Sequence, residues 1–332
     1  MIRSLVAEFD QVQEKMVLRR NLERKNLEQA LGSGATVWVD IVDPADEEID
    51  WLAAQFNLSP AVLADLQRVD RRPGMLVYPN YLFLSLFEPQ IRAGQVRGLE
   101  IHLVMTDTCF ITVRRSEAEA LEEAYERMAQ SPEGWNAGVA YLMYLTAQYV
   151  IDAYYPLLDR ISNQLNAVEE GLLDNRLTAD EAARKPVYRI KQQLINLRQM
   201  VAPQREVISS VIGEARLDSA GNIRDLFRHL YERLLRIYDV IDSQRDLSSN
   251  VLDMMQNVES RKVVEAVNRL TVLSMIFLPL TFLSGLFELN FATTSEPIIL
   301  PIPGGIMLVL VVTSMIISAS LMAITFRRRG WI

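Results

Sequence analysis

Residues 270–287 read LTVLSMIFLPLTFLSGLF, eighteen positions without a charged side chain, and Glu288 and Asn290 stand at the far edge of the run. Crossing about 30 Å of hydrocarbon takes roughly 20 helical residues at 1.5 Å each. The stretch therefore reads as a membrane-spanning helix. A second uncharged run, 305–326, covers 22 residues, and a soluble core rarely stacks two such runs at one end of a chain. Polar groups beside hydrocarbon are usually paired, water-facing or functional. Glu288 and Asn290 are candidates on that ground.

Outside these runs the chain is charged. Arg261, Lys262 and Arg269 precede the first run, Arg327, Arg328 and Arg329 follow the second, and 289–304 holds no basic residue. The positive-inside rule then puts both termini in the cytoplasm of a cell with this protein in its inner membrane. The opening MIRSLVAEFDQVQEKM has no apolar signal-peptide region. Cys109 is the only cysteine, which forbids an intrachain disulfide and suits a reducing compartment. The formal net charge of −8 argues against nucleic acid as a partner and for a cation. No phosphate-binding glycine loop and no catalytic Ser, Cys or His constellation is present, so no enzymatic activity is expected. One Cys and two separated His, His102 and His229, argue against a closed structural zinc site within one chain.

The first part of the chain is α+β. TVWVDIV at 36–42 predicts a strand, Asp43-Pro44 a cap and first turn, and ADEEIDWLAAQF the helix that follows. SPAVLADLQ predicts a short helix, YLFLSLF, GLEIHLVMT and CFITVRR three strands, and SEAEALEEAYERM an acidic helix. Beyond Trp135 the spacing is helical. The expected division is 1–135 as a cytoplasmic α/β domain and 136–269 as a cytoplasmic helical region. Spans at 270–287 and 305–326 follow, with an outer loop at 288–304 and a basic tail at 327–332. From Ile223 to Phe287 Pro279 is the single proline, and no glycine precedes Gly285. That predicts one helix of roughly 65 residues, about 97 Å long, bent locally where Pro279 removes a backbone hydrogen bond.

Stepping back from Glu288 by alternating threes and fours gives Gly285, Thr281, Leu278, Ser274, Thr271, Val267, Val264, Ser260, Asn257 and Asp253. In a self-associating helix such a line faces the symmetry axis. A packed seam wants Leu, Ile and Val, whereas this one is mostly small or polar, and Leu273, Ile276, Phe277, Leu280 and Leu283 lie elsewhere. Two readings stand. The line encloses a narrow water-filled path, with hydroxyls and amides replacing part of an ion's hydration and Leu278, Val264 and Val267 closing it by dewetting. Alternatively, its Ser and Thr hydroxyls bond their own backbone, as membrane helices often have them do.

Over most of its length the chain resembles the CorA family of divalent metal-ion transporters. The resemblance is carried by VWVDIVDPADEEIDWLAAQFNLSPAVLADL, RRPGMLVYPNYLFLSL, IFLPLTFLSGL and the terminal FRRRGWI. It implies a funnel-shaped homopentamer in which the long helix lines a pore and the second span lies outside it. The family's Gly-Met-Asn triplet falls on Glu288, Leu289 and Asn290, so only the Asn is kept. By resemblance Asn290 forms an outer amide ring that holds a hydrated cation, Thr281 is a pore threonine, and Asp253 is an acidic residue at the inner end. Glu288 would set several carboxylates around one mouth, where direct binding suits Zn²⁺, Co²⁺ or Ni²⁺ as well as Mg²⁺. Otherwise it is an interfacial carboxylate that never meets the axis. TFLSGLF is similar to the zinc-transporting ZntB branch. His229 falls where magnesium-gated relatives carry a regulatory Asp, and His102 is expected to be a plain strand residue. The expected function is passive transport of divalent cations with relaxed selectivity, the partners being identical subunits, membrane lipid and the transported Mg²⁺ or Zn²⁺, with no resident cofactor. The competing expectations are a membrane-anchored regulatory or scaffold protein that no longer conducts, or a transporter of another ion type.

Overall fold

Seven strands form one sheet in the order β2-β1-β3-β7-β6-β5-β4. They are β1 (Ile2–Asp10), β2 (Lys15–Arg20), β3 (Thr36–Val42), β4 (Gly74–Val77), β5 (Leu82–Arg92), β6 (Gln95–Met105) and β7 (Cys109–Arg114). The computed structural model describes residues 2–10, 15–67, 72–174, 181–217, 222–291 and 304–328, with the backbone alone at 10, 286–291, 304 and 307. Among the described strands β3 and β7 pair in parallel, Val39 opposite Ile111, and the other neighbours are antiparallel. Both central strands are buried on both faces, which is why TVWVDIV and CFITVR read as continuous apolar runs rather than as alternation.

Successive side chains of β3 go to opposite faces. Val37, Val39 and Ile41 join a core with Leu27 of α1 (Arg24–Gly32), Trp51 and Leu52 of α2 (Asp46–Phe56), and Val62 and Leu66 of α3 (Pro60–Gln67). On the other face Trp38 stacks obliquely on Phe110 and edge-on to Tyr125 of α4 (Glu119–Gln130). That face also meets α5 (Val139–Asp152). Helix α2 starts later than expected. Asp43 is left-handed, with φ 47°, and Ala45 is the N-cap. Alanine has no side-chain oxygen to cap with, so the stabilising contact is the reverse one, from the Ala45 N–H to Glu48 Oε2 at 3.0 Å.

Strands β1 and β2 and helix α1 were not anticipated from the sequence. Strand β1 inserts Arg3 and Ser4 among buried residues: the Ser4 hydroxyl accepts from the Leu22 N–H at 3.0 Å, and Arg3 finds its partners far along the chain. Arg3 bridges Asp40 at 2.5 Å and Glu122 at 2.9 Å. Arg114, fully buried, lies 3.3 Å from Asp40 and 2.5 Å from Glu122. Thr112 completes the group, its Oγ1 donating to Asp40 Oδ1 at 2.6 Å while accepting from Trp38 Nε1 at 3.1 Å. Two guanidiniums and two carboxylates thus balance beneath α4, a cluster in which no charge is left without an opposite one.

Helices α6 (Tyr154–Leu173) and α7 (Glu181–Ile212) continue the first unit. Gln204 of α7 ties them to the sheet, accepting from the Phe87 N–H at 3.1 Å and donating to Tyr154 Oη at 2.7 Å, which itself donates to the Phe87 carbonyl at 3.0 Å. A leucine at 204 would strand a buried N–H and remove a partner from a buried hydroxyl. Gln204→Leu is therefore expected to cost about 2–4 kcal/mol, read as a lower denaturation midpoint of the full chain; an unchanged midpoint would contradict this account.

The chain divides into two compact units, residues 1–252 and 253–332. Helix α8 (Ile223–Phe291, 69 residues) begins in the first and continues into the second, and it accommodates Pro279. The second unit also contains α9 (Gly304–Arg328). Both helices are long and apolar enough to cross a membrane. Of the outer loop expected at 288–304, residues 288–291 continue α8 and Gly304 opens α9, and of the tail expected at 327–332, Arg327 and Arg328 end α9. Residues 292–303 and 329–332 lie outside the described residues.

Candidate ion-pathway face of the long helix

Good helix formers and the lack of glycine before Gly285 keep α8 continuous, so a residue and its second neighbour stand about 200° apart around its axis. That angle sorts the helix into two sides. Met255 is fully buried and Val272 is 5% exposed, while Ile276, Pro279 and Leu283 are half-buried. Two positions along from each of these come Asn257, Ser274, Leu278, Thr281 and Gly285, all exposed, Leu278 by 74%. The row drawn from the sequence thus lies opposite the buried and half-buried stripe of the helix. Asp253, Ser260, Val264 and Val267 are exposed too, and Thr271 is half-buried. From Glu259 to Leu270 every residue is exposed, so there the spacing alone, and not burial within one chain, defines the row.

Three of the four hydroxyls on this row, all but that of Ser260, are committed. Thr271 Oγ1 donates to the Val267 carbonyl at 2.8 Å, Ser274 Oγ to Leu270 at 2.9 Å, and Thr281 Oγ1 to Phe277 and Leu278 at 3.1 and 2.8 Å. This is the backbone bonding anticipated as the alternative, and it has a chemical consequence. A hydroxyl that spends its proton on its own helix keeps only lone pairs for whatever lies alongside. Such an oxygen accepts from water or meets a cation.

The backbone of α8 extends through Phe291, past Glu288 and Asn290, whose side chains lie outside the described residues. His229 is 73% exposed, with Nδ1 3.6 Å from Glu232 Oε2. Among the described residues no group of three metal-ligating side chains assembles around it or elsewhere within one chain. His102 is buried in β6 and stacks on Phe83, the ring centroids 5.6 Å apart. Cys109 is buried, and burial pushes its thiol well above the ordinary range, which makes it inert as a nucleophile or ligand.

A family described as CorA-like Mg²⁺ transporter protein matches residues 33–328. A cobalt/magnesium transport protein CorA of Thermotoga maritima is 26% identical over 296 residues, covering 84% of this chain and 82% of that one. A zinc transport protein ZntB of Pectobacterium atrosepticum is 26% identical over 284 residues, covering 84% and 81%. Among solved structures, the complete CorA magnesium transporter of Methanocaldococcus jannaschii superposes with a TM-score of 0.79 at 17% identity, over 99% of this chain and 98% of that one. That last likeness concerns the fold: an α/β unit, a long helix and two C-terminal apolar helices in the same order. With the family match running through nearly all of it, including both apolar helices, the chain belongs to the CorA-like Mg²⁺ transporter family.

Proposed function

We propose that copies of this chain associate as a homopentamer in an inner membrane, termini in the cytoplasm, and that the α8 row encloses a path for divalent cations. The observation that carries the reading is the placement of the row opposite the packed side of α8. The buried stripe of α8 lies away from the row, and the bulky Leu273, Phe277 and Phe282, exposed in one chain, lie elsewhere around the helix for lipid or neighbouring helices. The small and polar row is therefore the edge suited to line water with neighbouring copies. The relatives are named as transporters of cobalt, magnesium and zinc, which supports the ion class.

In this reading each part of the row has a task. Asp253 and Asn257 draw cations in or release them at the cytoplasmic end. Val264, Val267 and Leu278 form narrow apolar rings that exclude water when the path is closed. Thr271, Ser274 and Thr281 offer lone pairs to the ion's water shell. Asn290 reads the hydrated ion at the outer mouth, a gentle mode that fits the reluctance of Mg²⁺ to shed water. Glu288 adds a carboxylate ring that binds inner-shell and so broadens selectivity towards Zn²⁺, Co²⁺ and Ni²⁺. His229 would add a softer ligand to a cytoplasmic metal site shared between subunits.

The test is metal flux into proteoliposomes with Mg²⁺, Zn²⁺ and Co²⁺ in competition. Saturable uptake is expected, and Glu288→Ala should shift the order of preference towards Mg²⁺ by about tenfold, the equivalent of 1.4 kcal/mol. Unaltered preference in that variant would take Glu288 out of the path. No flux of any divalent ion from intact pentamers would favour the scaffold instead.

A further inference from the structure

A cavity of about 940 Å³ in the first unit opens between the β5–β6 hairpin and α7, and it is strongly basic. Arg72, Arg92, Arg97 and Arg115 all line it. In a chain whose formal charge is −8, four guanidiniums around one space need an explanation. Elsewhere in this unit some arginines are neutralised, Arg3 and Arg114 by Asp40 and Glu122, Arg233 by Asp152, Arg198 by Asp242. Others, such as Arg127, Arg160 and Arg236, stand singly without an ion pair among the described residues. What sets the cavity apart is that four such cations share one space. The four at the cavity take part in no ion pair among the described residues.

Two of them are instead held by neutral acceptors. Arg92 donates to Gln90 Oε1 at 2.9 Å and to Ser116 Oγ at 2.6 Å. Arg115 donates to the carbonyls of Pro44, Leu66 and Gln67 at 3.4, 3.0 and 3.2 Å, the last two at the C-terminal end of α3. Neutral partners orient a guanidinium without discharging it. Their charge stays available although these bonds spend much of each fork, Arg92 keeping Nη1 for a ligand. Arg72 and Arg97 keep whole forks, which can meet an oxyanion two contacts at a time. Asn196 of α7 adds an amide, and Phe87 with Met200 gives one wall an apolar surface. One carboxylate, Glu100, also lines the space, beside His102 at 3.8 Å. Its single negative charge leaves the cavity with a net positive one.

We propose that this cavity binds a small anion carrying two or more phosphoryl groups. A single phosphate would meet one or two of the four cations, whereas a polyphosphate can span them. A volume of this size also accommodates a nucleotide, the apolar wall then facing the base. Polyphosphates are the common soluble carriers of divalent cations, so a site for one on this chain would report the cytoplasmic load of chelated metal.

Isothermal titration of the purified full-length protein with pyrophosphate, ATP and sulfate tests this. It is run in metal-free buffer with excess chelator so that metal capture is not read as binding. Saturable binding of pyrophosphate or ATP is expected, weakening as salt rises. In the variant Arg92→Ala/Arg97→Ala, both positions exposed, affinity should fall by at least about tenfold. Arg97→Lys keeps the charge, loses the fork, and should fall in between. Tenfold tighter binding of ATP than of pyrophosphate assigns a nucleotide; equal affinity assigns free polyphosphate. Three results overturn the proposal: no saturable binding of either, equal binding of sulfate, or unchanged affinity in the double variant. None of these readouts depends on whether the protein moves ions.

Discussion

Replacing Asp40 with alanine should destabilise the first unit by about 3–5 kcal/mol, the usual cost of removing one partner from a buried ion cluster. Asp40 is fully buried, and it is the group on which Arg3, Arg114 and Thr112 all converge. Without it two guanidiniums share Glu122, and Arg114 has no access to water. Unfolding of the full chain followed by tryptophan fluorescence measures the loss, since Trp38 is bonded to Thr112 in the same cluster. The companion variant Asp40→Leu/Arg114→Met removes a charge of each sign and should lose markedly less than its two single changes summed. A loss of under about 1 kcal/mol for Asp40→Ala, within the range of surface substitutions, would mean the cluster is not what holds α4 to the sheet. Acid probes the same group. Burial alone would lift the Glu122 carboxyl, but the hydrogen bond and charge of Arg3, with the charge of Arg114, outweigh it and hold the carboxyl below its ordinary range. Its stabilising contribution is therefore complete above the unfolded value of about 4.3 and is lost as pH falls through the lower folded value. Glu122→Gln should flatten that acid limb.

This cluster marks where the sequence stops being legible. The spans are plain because hydrocarbon demands some twenty uncharged residues in a row. Strands β3 and β7 are nearly as plain, because burial on both faces leaves a continuous apolar run. Strand β1 is not, since Arg3 looks like a surface residue until Asp40 and Glu122, 37 and 119 positions away, are seen beside it, and Ser4 until its hydroxyl is seen to accept from the Leu22 N–H. The row on α8 is legible as spacing, and the packed stripe at Met255, Val272, Ile276 and Leu283 agrees with it. What covers the row depends on neighbouring copies, which no property of one chain determines. The arginine cavity was invisible for a related reason: Arg92, Arg97 and Arg115 come from three strand ends and meet only through the β5–β6 hairpin pairing and its neighbour β7.

Leu278→Ser should raise resting cation flux about tenfold, the effect of lowering a barrier by about 1.4 kcal/mol. An apolar ring closes a narrow path because water withdraws from it, and the ion must then cross without its shell. Serine there supplies an acceptor, so water and ion can stay together. Leu278 is the most exposed large side chain among the described residues of the first apolar run, and its neighbours on the row, Ser274 and Thr281, are already polar. One substitution would thus join two wetted stretches into one. The control sits on the same helix: Leu273 is 53% exposed, but it lies about 140° from Leu278 around the axis. Leu273→Ser makes the same chemical change off the row and should leave flux unaltered. Proteoliposome uptake with each variant at equal protein density separates the outcomes. A rise for Leu278→Ser alone places the barrier on the row. Equal responses from both variants would attribute the effect to a loosened span, and silence from Leu278→Ser would move the closure to Val264 and Val267, where Val→Thr exchanges of nearly equal size repeat the test.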